Sequence, residues 1–136
     1  MRGCIGKARP CRPLAVDVAE NAYAAAFEDG RFPPLAAANL DPLDIEVSVL
    51  GGFEPLTASD EADLLRQLRP GHDGLILEFG AARGLFLPGV WSVLPEPGDF
   101  VAQLKLKAGL ERDFWSPRLT LQRFATATVS SETIAA

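Results

Sequence analysis

Cys4 stands in the run Arg2-Gly3-Cys4-Ile5-Gly6, with a glycine on either side. Glycines let the chain turn sharply and let a ligand approach main-chain N–H groups. A thiol in such a loop, beside an arginine, can be held as a thiolate and attack an electrophile. Cys4 is therefore the candidate nucleophile, with Arg2, Gly3, Ile5 and Gly6 as candidate ligand-binding positions. A bland alternative fits the same pattern: a small apolar cysteine buried in a tight turn. His72 is the only histidine, so any Cys–His pair must use it. Its neighbour Asp73 is placed to orient it or to carry a proton. Yet Pro70-Gly71-His72-Asp73-Gly74 also has strong turn chemistry, which explains the same residues without catalysis.

Further candidates surround these. Arg31, in the rigid run Arg31-Phe32-Pro33-Pro34, has the fork that grips carboxylates and phosphates, or it locks the turn by pairing with Asp29 or Glu28. Asn21 lies among small residues and either reaches a ligand or ties down the Cys4 loop; the structural role is favoured. Glu46 and Ser48 share the polar side of one extended segment, facing solvent or the floor of a cleft. Gly6-Lys7 lacks the following Ser or Thr and the earlier Gly of a phosphate loop. One histidine and two cysteines, Cys4 and Cys11, without local ligand spacing, predict no metal site. No cofactor fingerprint is present.

Simple elements must position these groups. Alanine-rich residues 14–28 have helical spacing, with apolar positions at Leu14, Val18, Ala22, Ala25, Ala26 and Phe27 and Pro13 as the first helical residue. Asp29-Gly30 ends that helix. Residues 43–50 alternate, placing Leu43, Ile45, Val47 and Val49 on the buried face of a strand that Gly51-Gly52 breaks. A short helix starts near Ser59 and stops before Pro70. Residues 75–79 and 84–87 form a hairpin through residues 80–83. Asp99 is the expected N-cap of a helix through Ala108, which Gly109 stops. Residues 119–129 form a last strand. Strands and helices do not alternate strictly, so the class is α+β.

At 136 residues, 48% of them hydrophobic, the chain suffices for one domain with a core. A net charge of −5 argues against nucleic acid as the main partner. The first dozen residues are nonetheless basic, through Arg2, Lys7, Arg9 and Arg12. No apolar run reaches membrane-spanning length, and an export signal is missing, so a cytoplasmic location with reduced thiols is expected.

Six segments in order resemble the AMMECR-type family, known as AmmeMemoRadiSam system protein A. They are Arg2-Gly3-Cys4-Ile5-Gly6; Asn21-Ala22 with Ala25-Ala26, Asp29 and Arg31-Phe32-Pro33-Pro34; the run from Ile45 to Leu50; Gly71-His72-Asp73-Gly74; Gly84-Leu85-Phe86-Leu87-Pro88; and Lys107-Ala108-Gly109-Leu110 with Trp115. The resemblance implies one α+β domain over 1–136, two-lobed and of mixed sheet and helix, with a smaller lobe at roughly 41–96. It implies association with Memo-type and radical SAM proteins, and leaves open whether the domain is an enzyme. Two functions follow as expectations: a ligand-binding or thiol-dependent modification component, or a non-catalytic adaptor. The family has a further segment ahead of the glycine-cysteine motif. Met1 stands where the family has Leu, so the resemblance implies an N-terminally shortened form with an exposed sheet edge.

Overall fold

The computed structural model describes residues 2–8 and 10–131. Arg9 lies outside the described residues. The elements are α1 (Leu14–Phe27), β1 (Glu46–Leu56), α2 (Glu61–Gln67), β2 (Gly74–Phe79), β3 (Ala82–Phe86), α3 (Pro97–Lys107) and β4 (Thr120–Ser130), with 3-10 turns at Ala37–Asn39 and Pro88–Ser92. The four strands form one sheet in the order β1-β4-β2-β3, so the fold is α+β with β1 and β3 at its edges. β2 is antiparallel to both β3 and β4. The chain divides into two compact units: residues 1–48 with 128–136, and residues 49–127.

The larger unit, 49–127, holds a hydrophobic core. Leu75 and Leu77 of the interior strand β2 pack with Leu64, Leu68, Phe100, Val101, Leu104 and Leu121. Trp91 stacks on Phe100 with centroids 3.9 Å apart, and Phe86 meets Phe100 edge-on at 5.3 Å. A methyl group on Gly84 would stand 3.0 Å from Leu104 Cδ1, so β3 and α3 approach closely because that position lacks a side chain. Lys105 is fully buried, paired with Glu61 and donating to the carbonyl of Arg112 at 3.3 Å.

Local chemistry moves several expected boundaries. Asp60 caps α2, its carboxylate accepting the Asp63 N–H at 2.8 Å, while Asp63 reaches back to the Ser59 N–H at 3.0 Å. The β2–β3 turn is two residues, Gly80-Ala81, because Phe79 pairs with Ala82 and Gly80 takes φ 57°. Positive φ at the first central residue is what a II′ hairpin turn needs. Asp99 is not the cap of α3: Glu96 holds that position without a side-chain bond, Pro97 opens the helix, and Asp99 lies in its first turn. Gly51-Gly52 does not break β1. Gly52 adopts φ 64° inside the strand, which runs on to Leu56.

In the smaller unit, Pro13 is the cap position of α1, its carbonyl accepting the Asp17 N–H at 2.9 Å. The start of β1 and the end of β4 are tied by the Ile45 N–H on Ser131 Oγ at 3.0 Å and by Ser48 Oγ with Thr128 Oγ1 at 2.9 Å. Of the residues expected on the buried face of 43–50, Leu43 and Val47 are half-buried while Ile45 and Val49 are exposed, and apolar residues of α1 are exposed as well. Leu14 is 59% exposed, Phe27 44%, Ile45 56% and Val49 37%. Periodicity tells which residues share a face. It does not say whether anything lies against that face.

Candidate functional site

The Cys4 loop is held against the C-terminal end of α1. Gly3 makes this possible. A Cβ there would fall 2.0 Å from the carbonyl oxygen of Ala25, so only glycine lets the loop lie on the helix backbone. The next residue is fastened at both ends of its peptide. The Cys4 N–H donates to Asp29 Oδ2 at 3.0 Å, and the Cys4 carbonyl accepts from Arg31 Nη2 at 3.3 Å.

Asp29 and Arg31 are the clamp. Arg31 donates to Asp29 through Nε at 3.0 Å, Nη2 at 2.7 Å and its own main-chain N–H at 3.1 Å. Asp29 is the one buried residue among those described in the smaller unit. The Arg31 hydrogen bonds, followed by the Cys4 amide, hold its carboxyl far below the usual carboxylate range. Arg31 is raised in turn by the hydrogen bonds to Asp29. A carboxyl depressed in the fold stabilises it fully above its unfolded value of about 4 and progressively less as pH falls below that. The Cys4 amide resonance is accordingly expected to hold its position from neutral pH to about 4 and to move only at lower pH. A shift centred near neutrality would mean that Asp29 does not hold the loop.

Arg2 completes the attachment. It donates to the Pro33 carbonyl, and its guanidinium lies 6.0 Å from the centre of the Phe32 ring, which Arg31 also overlies at 5.4 Å. Arg2 Nη1 is buried without a hydrogen-bond partner among the described residues. The run Arg31-Phe32-Pro33-Pro34 thus serves the loop with a guanidinium, a ring and a carbonyl.

What the clamp leaves open is the Cys4 side chain. Cys4 and Cys11 are both free and exposed, so the buried-cysteine alternative does not describe this loop. Cys11 Sγ lies 3.8 Å from Asp17 Oδ1. Asp17 also receives Arg12 Nε at 2.8 Å and Asn21 Nδ2 at 3.0 Å, so Asn21 is engaged in holding the segment before α1. Ile5, Lys7, Arg12, Asn21 and Tyr23 are among the residues lining an open depression of about 620 Å³ beside the loop. At Gly6 an added Cβ would meet nothing within 4 Å.

His72 and Asp73 belong to the larger unit. His72 is exposed in its turn, whereas Asp73 is buried. The Asp73 carboxylate accepts the Arg69 N–H at 2.8 Å, Nε at 3.1 Å and Nη2 at 2.9 Å, and its carbonyl accepts Trp91 Nε1 at 2.7 Å. Asp73 therefore fastens the turn to the core. His72 and Arg69 line a shallow depression of about 480 Å³ with Thr126. Glu46 is exposed on β1, and the Ser48 hydroxyl is taken up by Thr128. Among the described residues no three His, Cys, Asp or Glu side chains gather as metal ligands. Among the described residues no helix is long and apolar enough to cross a membrane.

The role of Asp29 was only half legible in sequence. It reads there as a helix stop and as one of two carboxylates near Arg31. Its hold on Cys4, 25 residues away, depends on how α1 returns the chain to the loop.

Residues 1–129 match the AMMECR1 family. An archaeal protein of Thermofilum pendens is 45% identical over 120 residues, 85% of this chain and 54% of the relative. One of Methanothermobacter thermautotrophicus is 44% identical over 128 residues, 91% of this chain and 66% of the relative. The solved structure of Uncharacterized Protein PH0010 from Pyrococcus horikoshii superposes with a TM-score of 0.87 at 34% identity, covering 96% of this chain and 65% of that one. This chain thus spans between about half and two thirds of the length of these relatives. With the family match running through nearly all of its residues, the chain belongs to the AMMECR1 family.

Proposed function

We propose that this chain is a ligand-binding, thiol-dependent modification component that acts in the cytoplasm beside Memo-type and radical SAM proteins, with Cys4 as its nucleophile. One observation carries the reading. The Cys4 main chain is fixed on both sides while its thiol is left exposed. A loop built in this way presents the thiol from a fixed main chain close to the Arg31 guanidinium, so the backbone need not be ordered when a ligand arrives. Ile5, Gly6 and the adjoining depression supply the surface on which a small molecule or a protein side chain would rest. Arg2 and Arg31 fix the loop and add positive charge. His72 and Asp73 have no assigned step, since Asp73 is committed to Arg69.

Alkylation by iodoacetamide tests this in the Cys11→Ser and Cys4→Ser variants, each with one thiol. Cys4 is expected to react at least about tenfold faster than Cys11 at neutral pH, and Arg31→Gln to erase most of that advantage. Equal rates for the two cysteines would end the thiol reading. The non-catalytic adaptor is then the better account, and the apolar exposure of α1 favours it.

A further inference from the structure

The turn between α2 and β2 is held from within. The Arg69 carbonyl accepts the N–H groups of His72 and Asp73 at 3.0 and 3.1 Å, and Gly71 turns the chain at φ 83°. The buried Asp73 carboxylate takes the Arg69 guanidinium through Nε and Nη2. That grip uses one side of the fork. The Arg69 side chain is still 62% exposed, with Nη1 left for another acceptor. His72 is exposed and Thr126 on β4 is half-buried, and neither side chain has a hydrogen-bond partner among the described residues. These three donors line one depression of about 480 Å³, with Gly71, Pro88 and Ala125 completing its wall. Among the described residues no carboxylate lines it. Two carboxylates act on Arg69, and both are engaged: Asp73 with the guanidinium itself, and Glu54 with Arg123 Nε at 3.3 Å.

We propose that this depression is a binding subsite for a phosphate group, free or carried by a small molecule, with Arg69 as its fixed cation. A guanidinium already locked by a buried carboxylate loses little freedom when it meets a second anion. Asp73 offsets much of its charge, so the ligand must be held by several hydrogen bonds rather than by net charge. Arg69 and His72 supply them from the turn, and Thr126 from β4. Donors on two elements suit the several oxygens of a tetrahedral anion better than the two coplanar oxygens of a carboxylate. A lock for Asp73 alone would need neither His72 nor Thr126. The site lies wholly in the larger unit and does not rest on the thiol reading, in which His72 has no step.

Titration of the isotope-labelled 136-residue chain with inorganic phosphate, at constant pH and ionic strength and read by NMR, provides the test. The amide resonances of Gly71, His72 and Thr126 and the Arg69 Nε–H are expected to move together and to saturate at roughly millimolar phosphate. His72→Ala and Thr126→Val each remove one donor outside the core, so the fold is kept. Each should weaken the apparent affinity by about tenfold, the worth of one hydrogen bond to a charged group. Acetate at the same concentrations should produce far smaller shifts. Shifts that never saturate would sink the proposal, as would saturation that neither variant weakens. An equal response to acetate overturns the assignment to phosphate.

Discussion

Replacing Phe100 by alanine is expected to cost about 3–5 kcal/mol of stability. Phe100 is fully buried on α3 and takes part in two ring contacts, flat against Trp91 and edge-on to Phe86. Truncation removes both and leaves a cavity bounded by β3, α3 and the Pro88–Ser92 turn. The Trp91 indole N–H is tethered to the Asp73 carbonyl, so the ring is not free to slide into the gap. Urea unfolding followed by tryptophan fluorescence reads the loss directly, because Trp91 lies on the deleted ring. Tyr23→Ala is the contrast. Its exposed ring on α1 should change the stability of the same chain by less than about 0.5 kcal/mol.

Gly3→Ala is expected to detach the Cys4 loop, with a cost of about 1–3 kcal/mol from overpacking. The added carbon would stand 2.0 Å from the Ala25 oxygen and 2.9 Å from the Ala25 carbonyl carbon. Both are helix backbone, so no change of side-chain rotamer relieves the clash. The loop must lift, and the Cys4 N–H then leaves Asp29 while its carbonyl leaves Arg31. Limited proteolysis should cut the segment before α1 faster in this variant than in the native chain. Gly6→Ala, where the new methyl meets nothing, should be cut at the native rate. Equal cutting of Gly3→Ala and the native chain would show that close packing on Ala25 is not what holds the loop.

Much of this architecture is legible in the sequence, and the failures have physical causes. The apolar run Leu75–Leu77, flanked by turn residues, marks a buried strand, and its burial follows. The alanine-rich spacing of residues 14–28 marks α1 to within one residue of its observed end. Its orientation cannot be read in that way, because exposure depends on what lies alongside rather than on the helix itself. Gly52 shows the same limit on a smaller scale: a double glycine reads as a break, yet the strand runs through it with one residue at positive φ. At the candidate site, the glycine-flanked Cys4 and the Arg31 run identify the participants. Which atoms meet does not follow from spacing, since Asp29 and Cys4 are far apart along the chain. Asp73 is the opposite case, a turn aspartate whose bonds to Arg69 lie four residues away and follow from local chemistry.

The strand order has a consequence for how the protein is made. β4 is the last strand in sequence, yet it lies between β1 and β2. The β2–β3 hairpin can form as soon as it is synthesised. β1 must wait for a partner: the Ile45 amide meets Ser131 across 86 residues. Contacts of such separation carry a loop-closure penalty before they contribute stability, and they slow folding. On the ribosome β1 is therefore expected to leave the exit tunnel well before its neighbour exists. The sheet closes only when β4 emerges and inserts between two strands already made.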